Sequence, residues 1–452
     1  MHIPKRPGLR RIGLLATVVA ATIIITAGCS STTTSNVKTS TKGYTEYPTI
    51  LTTANKGKTV TFWGWDTLKF NKPIEDYVKQ VAGVTVKGRV VPNADIQKKI
   101  KLAVQTHTLP DVFKAGTGDI PTLVQIGAVS DITDLVAKYR KYLPANGWKS
   151  VTYKGKVYGI PVNSPAGGMF YRQDILTKYG IDPASLDTWD KFVAAALKIH
   201  DASKGTVSLF GYQKSLSLGV IIALINLNHA QLIDKNNKVA INADSPEWQS
   251  TMATIKKLIA PGVGKELPEF TPPWYQAMKD GTLAAFPAGT WFAQTIQAQA
   301  PDTKVDWNFQ PFPAIQEGGD RYVDYGSAII TVSSQAKDRA AAFELAKAWS
   351  IDPEGAVGIG LEKEGISVVT TAALDSSFVK GPQPYFANNQ PYWKDATDAY
   401  NKITFSQPAN TGYSQALTIF GTDLAAFQAG QSADAFLTKV ASDMREQIKG
   451  LK

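Results

Sequence analysis

The sequence is poor in the residue types that bind metals and form cross-links. It has one cysteine and four histidines among 452 residues. A single cysteine cannot form a disulfide within the chain. The histidines show no pairing four residues apart and no nearby cysteine, which argues against a zinc site of the usual spacing. They are His2, His107, His200 and His229. We therefore expect no metal ion and no disulfide framework.

The sequence also lacks the signatures of common cofactor and nucleophile sites. Gly358 and Gly360 are not followed by the third glycine of a dinucleotide loop, and no convincing strand–helix–strand frame surrounds them. No Gly-X-Ser-X-Gly motif occurs. Two carboxylates could form a glycosidase pair, but the sequence alone cannot pick such a pair from 38 acidic residues. We expect no cofactor and no enzymatic activity.

Clusters of one charge are missing as well. The formal net charge is +10, but four of the 48 basic residues precede residue 29, where there are no acidic residues. The rest of the chain has 44 basic and 38 acidic residues, and this excess of six is scattered. A nucleic-acid-binding protein needs a basic patch or stripe. The composition therefore argues against nucleic acid as a partner.

Beyond the N-terminal region the sequence has no apolar run long enough to cross a membrane. Residues 220–227 form an apolar run of eight residues, and Asn228 and His229 follow it. A membrane-spanning helix needs about 20 apolar residues. This run is therefore predicted to be a buried helix of a folded domain.

The first 28 residues have the pattern of a secretory signal peptide. Basic residues precede the apolar stretch 12–26, and the small residues Ala27 and Gly28 follow it. Arg10 and Arg11 are not followed by the rest of the twin-arginine export pattern, which favours the general export route. Residues 1–28 are therefore predicted to be removed from an exported protein.

The single cysteine, Cys29, comes directly after this stretch. Small residues before a cysteine resemble the bacterial lipobox, in which the cysteine is diacylated and becomes the mature N-terminus. Thr26 departs from that pattern, which prefers leucine at this position. The alternative is a signal peptide that happens to contain a cysteine. Two acyl chains would anchor the protein stably to a membrane without crossing it.

The residues after Cys29 are predicted to be a flexible tether. Residues 30–41 are nearly all Ser, Thr, Asn and Lys, which bury too little apolar surface to offset the entropy of ordering. We place the end of this tether at residue 56. The roughly 390 residues that follow are too many for one ordinary core, so two lobes are expected.

The first part of the folded region alternates strands and helices. Residues 58–65, 84–91 and 111–113 have strand patterns, and residues 74–81 and 95–104 have helical spacing between them. This order predicts an α/β lobe with a parallel sheet. Ligands bind beyond the carboxyl ends of such strands. The residues expected near that edge are Trp63, Trp65, Asp66, Lys114, Thr117 and Asp119.

Further elements follow along the chain. Residues 155–162 are predicted to form a hairpin-like entry into a strand, residues 328–332 a strand, and residues 340–349 an amphipathic helix. The Pro- and aromatic-rich residues 271–275 are predicted to form a loop. From residue 416 onward the chain is predicted to be mostly helical.

These segments resemble one family over nearly the whole mature chain. Short matches appear in the family's order at residues 61–66, 109–113, 127–135, 155–161, 170–174, 188–192, 281–291, 326–332 and 340–346. Each match is weak alone, but their shared order behind a lipobox is specific. The chain is similar to the extracellular solute-binding lipoproteins of carbohydrate ABC importers, the maltose-binding-like group.

The resemblance implies a two-lobed α/β fold of the periplasmic-binding-protein type. The chain would cross between lobes near Val162, Tyr325 and Thr371, which makes each lobe discontinuous in sequence. The expected first lobe comprises residues 57–162 and 327–371, and the second comprises residues 163–326 and 372–452. The resemblance also implies a monomer on the extracellular face of a bacterial membrane, held by its lipid, which delivers a sugar or oligosaccharide to the transmembrane permease subunits of an ABC importer.

Sugar recognition suggests which side chains line the cleft. The apolar C–H face of a sugar stacks on an aromatic ring, and its hydroxyl groups bond to carboxylates, amides and arginine. Trp291 is the leading candidate, because the turn at residues 287–290 would aim its ring into the cleft. Asn163, Asp324, Tyr325 and Ser327 lie in the crossover regions of the resembling family. Trp274, Tyr275, Gln213 and Glu364 are further candidates. The tryptophans expected to serve packing are Trp148, Trp189, Trp248, Trp307, Trp349 and Trp393.

Two alternatives remain open from the sequence. The same fold could bind a polyamine, a peptide or an anion, and the charges in the cleft would distinguish these ligands. The chain could instead be a surface-anchored carbohydrate-active enzyme, which would release products from an oligosaccharide.

Overall fold

The first strand shows how the side-chain pattern builds the fold. In residues Thr59–Gly64, Val60 and Phe62 are buried, whereas Thr61 between them is exposed. Successive side chains of a strand point to opposite faces, so this alternation puts one face against a core. The computed structural model describes residues 48–65, 68–164, 166–212, 218–366, 369–448 and 450. Cys29, Asp66 and Gln213 lie outside these residues.

Thirteen strands occur in the described residues. In chain order they are β1 (Thr59–Gly64), β2 (Thr85–Val90), β3 (Val112–Gly116), β4 (Thr152–Tyr153), β5 (Lys156–Val157), β6 (Ile160–Pro161), β7 (Ala166–Arg172), β8 (Ser208–Tyr212), β9 (Gly264–Glu266), β10 (Leu283–Gly289), β11 (Trp307–Gln310), β12 (Val323–Asp324) and β13 (Ala328–Val332).

The strands form two mixed sheets and one small hairpin, β4–β5. The first sheet has the order β2-β1-β3-β13-β6, in which β1, β2 and β3 are parallel and β13 is antiparallel to both of its neighbours. The second sheet has the order β11-β7-β10-β8-β9, with β12 paired to β7. In this second sheet β8, β9 and β10 are parallel, and β7 is antiparallel to β10 and β11. We refer to the parts built around these sheets as the first and second lobes.

The helices cover the two sheets. In chain order they are α1 (Leu68–Ala82), α2 (Asn93–Gln105), α3 (Ile120–Gln125), α4 (Thr133–Val136), α5 (Ala145–Ser150), α6 (Gln173–Lys178), α7 (Trp189–Ser203), α8 (Leu218–Leu227), α9 (Pro246–Leu258), α10 (Pro272–Asp280), α11 (Phe292–Gln299), α12 (Arg339–Ser350), α13 (Thr371–Asp375), α14 (Ser377–Lys380), α15 (Tyr392–Asn401), α16 (Tyr413–Gln428) and α17 (Ala433–Gln447). A further helical segment, Pro353–Lys363, follows α12. Helix α8 contains the apolar run 220–227 and is largely buried, as predicted.

Three hydrophobic clusters form the core, and each joins distant parts of the chain. The first contains residues between 51 and 166 and between 329 and 400. The second contains residues between 169 and 323 and between 416 and 448. The third joins aromatic residues around β10 to residues between 356 and 393. The proposed lobe boundaries stay a prediction, but the first sheet and all three clusters contain residues from both sides of β12. The six tryptophans assigned to packing are all buried, as predicted.

The expectation of an exposed loop at residues 271–275 is wrong. These residues enter α10, where Pro272 and Pro273 occupy the first turn, the one part of a helix that tolerates proline. Trp274 is only 1% exposed, and its ring packs edge-to-face on Phe286 with 5.0 Å between centroids. Trp274 is therefore a core residue, and its assignment to the ligand site is corrected. Its neighbour Tyr275 is half-buried.

The predicted tether extends too far into the chain. Thr52 donates from its backbone N–H and its hydroxyl to the carboxylate of Glu344 in α12, at 3.0 and 2.9 Å. Lys347 donates to the backbone oxygen of Ile50 at 2.8 Å. Leu51 lies in the first cluster. Residues 50–52 are thus fixed to the first lobe, because a buried charged pair and a core side chain hold them there.

The pair that fixes this segment is itself buried. Nζ of Lys347 lies 2.9 Å from Oε2 of Glu344, and the two side chains are 2% and 5% exposed. Each charge has further partners in the 50–52 segment, which offsets part of the cost of removing it from water.

We predict that Lys347→Met lowers the free energy of unfolding by about 3–5 kcal/mol, because it leaves the Glu344 charge buried without its partner. The double variant Glu344→Gln/Lys347→Met should recover part of this loss. Urea unfolding followed by circular dichroism measures the change. Lys394→Met, which removes an exposed ion pair with Asp398, is the control and should unfold like the wild type. Equal stability of the Lys347 variant and the control would contradict this account.

We also predict that Trp274→Ala lowers the free energy of unfolding by about 3–5 kcal/mol, because it opens a cavity among the aromatic rings of the third cluster. Trp291→Ala should cost clearly less, since that ring is only half-buried. Thermal and urea unfolding of the two variants, measured side by side, test this difference. Similar losses in both would show that Trp274 is not the core residue described.

Candidate functional site

The two sheets present the carboxyl ends of parallel strands, the edge at which α/β proteins bind ligands. In the first sheet these are the ends of β1 and β3, where Trp65 and Thr117 follow. In the second sheet they are the ends of β8, β9 and β10, and Trp291 follows the last of these. The candidate site is built from these strand ends and from the chain segments that cross between the lobes.

Trp65 and Lys114 lie together at the first-sheet edge. The Lys114 ammonium is 3.7 Å from the ring centroid of Trp349 in α12 and 6.0 Å from that of Trp65. A cation over an indole face is attracted by the ring's electrons, more strongly where water is excluded. Lys114 is 2% exposed, and its ammonium contacts Trp349 more closely than Trp65. Trp65 itself is half-buried and keeps part of its ring accessible.

Hydrogen bonds join the end of β3 to the crossover that precedes β13. The backbone N–H of Thr117 donates to the backbone oxygen of Ser327 at 3.0 Å. Oδ1 of Asn163 accepts from the backbone N–H of Ala328 at 2.6 Å. Asn163 and Ser327 are both 8% exposed. These bonds join the places where the chain leaves and re-enters the first sheet, and the assignment of Asn163 and Ser327 to the ligand site stays a prediction.

Two carboxylates accept hydrogen bonds from the chain between α15 and the first turn of α16. Asp119 accepts a hydrogen bond from the Ser414 hydroxyl at 3.0 Å, and Asp324 accepts one from the Ser406 hydroxyl at 2.7 Å. Burial raises the pKa of Asp119 above its usual value, although its bonds from Gly116, Ser414 and Gln97 pull the other way. Burial also raises the pKa of Asp324, against its bonds from Ser406 and Gly326.

Tyr413 is buried near Gly118 and is influenced by the charge of Asp324, and sequence reasoning missed it. Burial raises the pKa of its phenol, and the charge of Asp324 raises it further. A methyl group built on Gly118, beside Asp119, would lie 3.5 Å from Cδ1 of Tyr413. The contact joins residues nearly 300 positions apart, so no local sequence signal could have indicated it.

Tyr325 lies on the second-lobe side of the crossover. Its ring stacks on Phe312 with 5.9 Å between centroids and an angle of 20°. A Cβ atom on Gly219 would come within 1.5 Å of the Tyr325 hydroxyl, and one on Gly167 within 2.7 Å of its Cβ. These glycines make room for the ring. The side chain of Tyr325 therefore packs between β7 and the start of α8.

Trp291 follows β10 and begins α11. Its ring packs edge-to-face on Phe292 at 5.6 Å, and a Cβ atom on Gly289 would come within 2.2 Å of its Nε1. The indole folds back over the strand end only because residue 289 is glycine. Phe270, which follows β9, lies beside it with 6.4 Å between centroids. Sequence reasoning missed Phe270, although an aromatic residue between Glu269 and Thr271 was a usable signal.

Three predicted site residues lie outside this group. Trp63 has its ring 6.0 Å from the guanidinium of Arg89 and lines a cavity of about 320 Å³ with Asp111, which precedes β3. Asp111 lies at the amino end of β3, and the assignment of Trp63 to the ligand site stays a prediction. Glu364 ends the helical segment after α12 and is half-buried. Tyr275 packs on Trp274 at 5.2 Å, and burial raises its pKa.

Among the residues that the structure describes, no group of three or more His, Cys, Asp or Glu side chains is arranged to hold a metal ion. None of the helices in the described part of the chain has the length and apolar character that a membrane crossing needs.

Comparison with known proteins identifies relatives by sequence. An arabinooligosaccharide-binding protein of Bacillus subtilis (strain 168) is 28% identical over 224 residues, which cover 48% of this chain and 49% of the relative. A lactose-binding protein of Rhizobium radiobacter is 22% identical over 369 residues, which cover 77% of this chain and 83% of the relative. The chain thus spans about half the length of the first of these relatives.

Comparison of structures identifies the fold. The ABC transporter associated binding protein from B. animalis subsp. lactis Bl-04, solved in complex with β-1,6-galactobiose, has a TM-score of 0.73 at 21% identity. The match covers 86% of this chain and 98% of that one, so both sheets belong to one two-lobed fold. The sequence model of the family described as bacterial extracellular solute-binding protein matches residues 64–357, which is most of the chain. The chain belongs to this family of bacterial extracellular solute-binding proteins.

Proposed function

We propose that this protein captures a sugar or oligosaccharide between its lobes and delivers it to the permease of an ABC importer. The observation that carries the proposal is the placement of half-buried tryptophans at the carboxyl edges of both sheets, Trp65 on the first and Trp291 on the second. The sugar-binding relatives support the same ligand class.

The chemistry of these edges suits a sugar. An indole face attracts the apolar C–H face of a sugar ring, and nearby hydroxyl, amide and carboxylate groups can bond to the sugar's hydroxyl groups. Thr117, Asn163 and Tyr325 lie at the crossovers between the tryptophan-bearing edges. A polyamine, peptide or anion would be recognised mainly by clustered charges instead.

Capture would work through closure of the lobes. The three crossings are expected near Val162, Tyr325 and Thr371, and a sugar that contacts both edges would bind the closed arrangement better than the open one. The side chains of Ser406 and Ser414 donate single hydrogen bonds to Asp324 and Asp119. Such bonds can re-form after a small rotation, as a hinge requires.

We further propose where the protein acts and which proteins it contacts. The protein would act as a monomer on the extracellular face of the membrane, anchored through diacylated Cys29, with the permease subunits as its protein partner. It would bind and release its ligand without chemical change. The family's extracellular location and the sequence pattern around Cys29 support this arrangement.

We predict that isothermal titration detects binding of at least one sugar in a panel of arabinotriose, lactose, β-1,6-galactobiose and their monosaccharides. Trp291→Ala should weaken that binding about tenfold or more, since aromatic stacking adds up to about 1.5 kcal/mol to apolar burial. Tyr179→Ala is the matched control, because this half-buried ring follows α6 at the opposite edge of the second sheet. It should bind like the wild type.

Binding of none of these sugars, together with binding of a polyamine, peptide or anion, would contradict the sugar assignment. Conversion of the sugar to products during the titration, detected by chromatography, would instead support the enzyme alternative. Small-angle scattering with the bound sugar should show a smaller radius of gyration, and an unchanged radius would contradict closure.

We predict that mass spectrometry of the mature protein from bacterial membranes finds a diacylated N-terminal Cys29. The Cys29→Ser variant should leave the membrane fraction and keep its sugar affinity, because the anchor and the binding site are separate. An unacylated mature N-terminus away from Cys29 would contradict the lipid anchor.

A further inference from the structure

The excess of basic residues is concentrated in one segment of the first lobe, residues 137–156, which we call the basic segment. It contains six basic side chains and no acidic ones. Subtracting these six from the 44 basic residues that follow position 28 leaves 38, which equals the number of acidic residues there. The expectation of a scattered excess is therefore wrong. The six residues are Lys138, Arg140, Lys141, Lys149, Lys154 and Lys156.

Buried aromatic rings hold the basic segment in place. Tyr139, Tyr142 and Trp148 are at most 7% exposed. Nε1 of Trp148 donates to the backbone oxygen of Arg140 at 2.8 Å, and the hydroxyl of Thr152 donates to the backbone oxygen of Trp148 at 2.7 Å. These bonds pack the helical turn before α5, α5 itself and the β4–β5 hairpin together. The aromatic rings occupy the core, so the six basic residues lie exposed on the surface of this part of the lobe.

The charge of the basic segment is largely uncompensated. Within the described part of the chain, Lys156 alone among the six forms an ion pair, with Asp131 at 3.0 Å. The other five basic residues pair with none of the described acidic residues. Several like charges in one small area attract a surface of the opposite charge.

The basic segment lies beside the place where the chain leads to Cys29. The ammonium of Lys347 donates both to the backbone oxygen of Ile50, at 2.8 Å, and to the hydroxyl of Tyr139, at 3.4 Å. The described chain begins at residue 48, which is 19 positions after Cys29. A stretch of that length spans at most about 65 Å. An anchor at Cys29 would therefore keep the basic segment near the membrane.

Anionic phospholipid headgroups attract exposed lysine and arginine side chains, and such a patch adds to the hold of an acyl chain. We propose that the basic segment rests on anionic phospholipid headgroups beside the lipid anchor. This contact would hold the first lobe in one orientation to the membrane. The inference rests on the proposed anchor at Cys29, because the anchor brings this surface to a membrane.

Vesicle binding by the Cys29→Ser protein tests the contact, because this variant has no acyl chain. We expect it to sediment with vesicles of equal parts phosphatidylglycerol and phosphatidylcholine, with half-saturation at about 1 mM lipid, and not with phosphatidylcholine alone. Binding should be lost between about 0.1 M and about 1 M salt, because the screening length falls from about 10 Å to about 3 Å. Attraction this weak is lost when a membrane fraction is washed, so the variant still leaves that fraction.

Two quadruple variants of the Cys29→Ser protein locate the contact. The first replaces four lysines of the basic segment by glutamine, which should weaken vesicle binding about fivefold for each charge and several hundredfold in all. It carries Lys138→Gln, Lys141→Gln, Lys149→Gln and Lys154→Gln. The matched control removes the same charge from four exposed lysines of the second lobe and should keep vesicle binding. It carries Lys235→Gln, Lys238→Gln, Lys256→Gln and Lys279→Gln. Both variants should unfold at the temperature of the parent, since all eight side chains are exposed.

The outcomes separate this inference from the anchor it rests on. No binding of phosphatidylglycerol vesicles by the Cys29→Ser protein overturns the inference, as do equal losses in the two quadruple variants or equal binding of phosphatidylcholine. Capture of the solubilised permease without vesicle binding would assign the basic segment to a protein partner and overturn the membrane contact. An unacylated wild-type N-terminus, together with vesicle binding by the Cys29→Ser protein, overturns the anchor alone.

Discussion

The insertion of β13 into the first sheet is the constraint on which the crossovers and the candidate site depend. This strand returns from the second lobe and pairs antiparallel with both β3 and β6. Its pairing places Ser327 beside Thr117 and Ala328 beside Asn163, so the crossovers are joined by hydrogen bonds at the carboxyl end of β3. Without this pairing the hydrogen bonds between Thr117 and Ser327 and between Asn163 and Ala328 would not form.

The candidate site has aromatic side chains from both lobes, and each lobe holds its aromatic side chains by a different kind of contact. In the first lobe the buried Lys114 lies 3.7 Å from the ring of Trp349 and 6.0 Å from the half-buried ring of Trp65. In the second lobe Trp291 and Phe270 pack on aromatic core residues. Side chains held in place without a ligand lose less entropy on binding.

The sequence was most informative where periodicity and burial agree. The alternation around Phe62 predicted β1, the apolar run 220–227 predicted a buried helix, and six tryptophans were correctly assigned to packing. Resemblance to a known family predicted the two-lobed fold. It could not give the cleft contacts, because those depend on side chains brought together from distant segments.

The wrong and missed residues have specific physical causes. Trp274 was predicted to be exposed because two prolines precede it, but prolines also begin helices. The long-range contact of Tyr413 with Gly118 and the approach of Phe270 to Trp291 both arise from tertiary packing. Local sequence patterns carry no signal for either.

The central claim is that one sugar ligand contacts both lobes through the aromatic side chains at the sheet edges. A crystal structure of the protein with its bound sugar tests this most directly. The account predicts a sugar unit stacked on Trp291 while the same ligand contacts the Trp65 edge of the first lobe. A sugar bound to one lobe alone, or in a position away from both tryptophans, would contradict it.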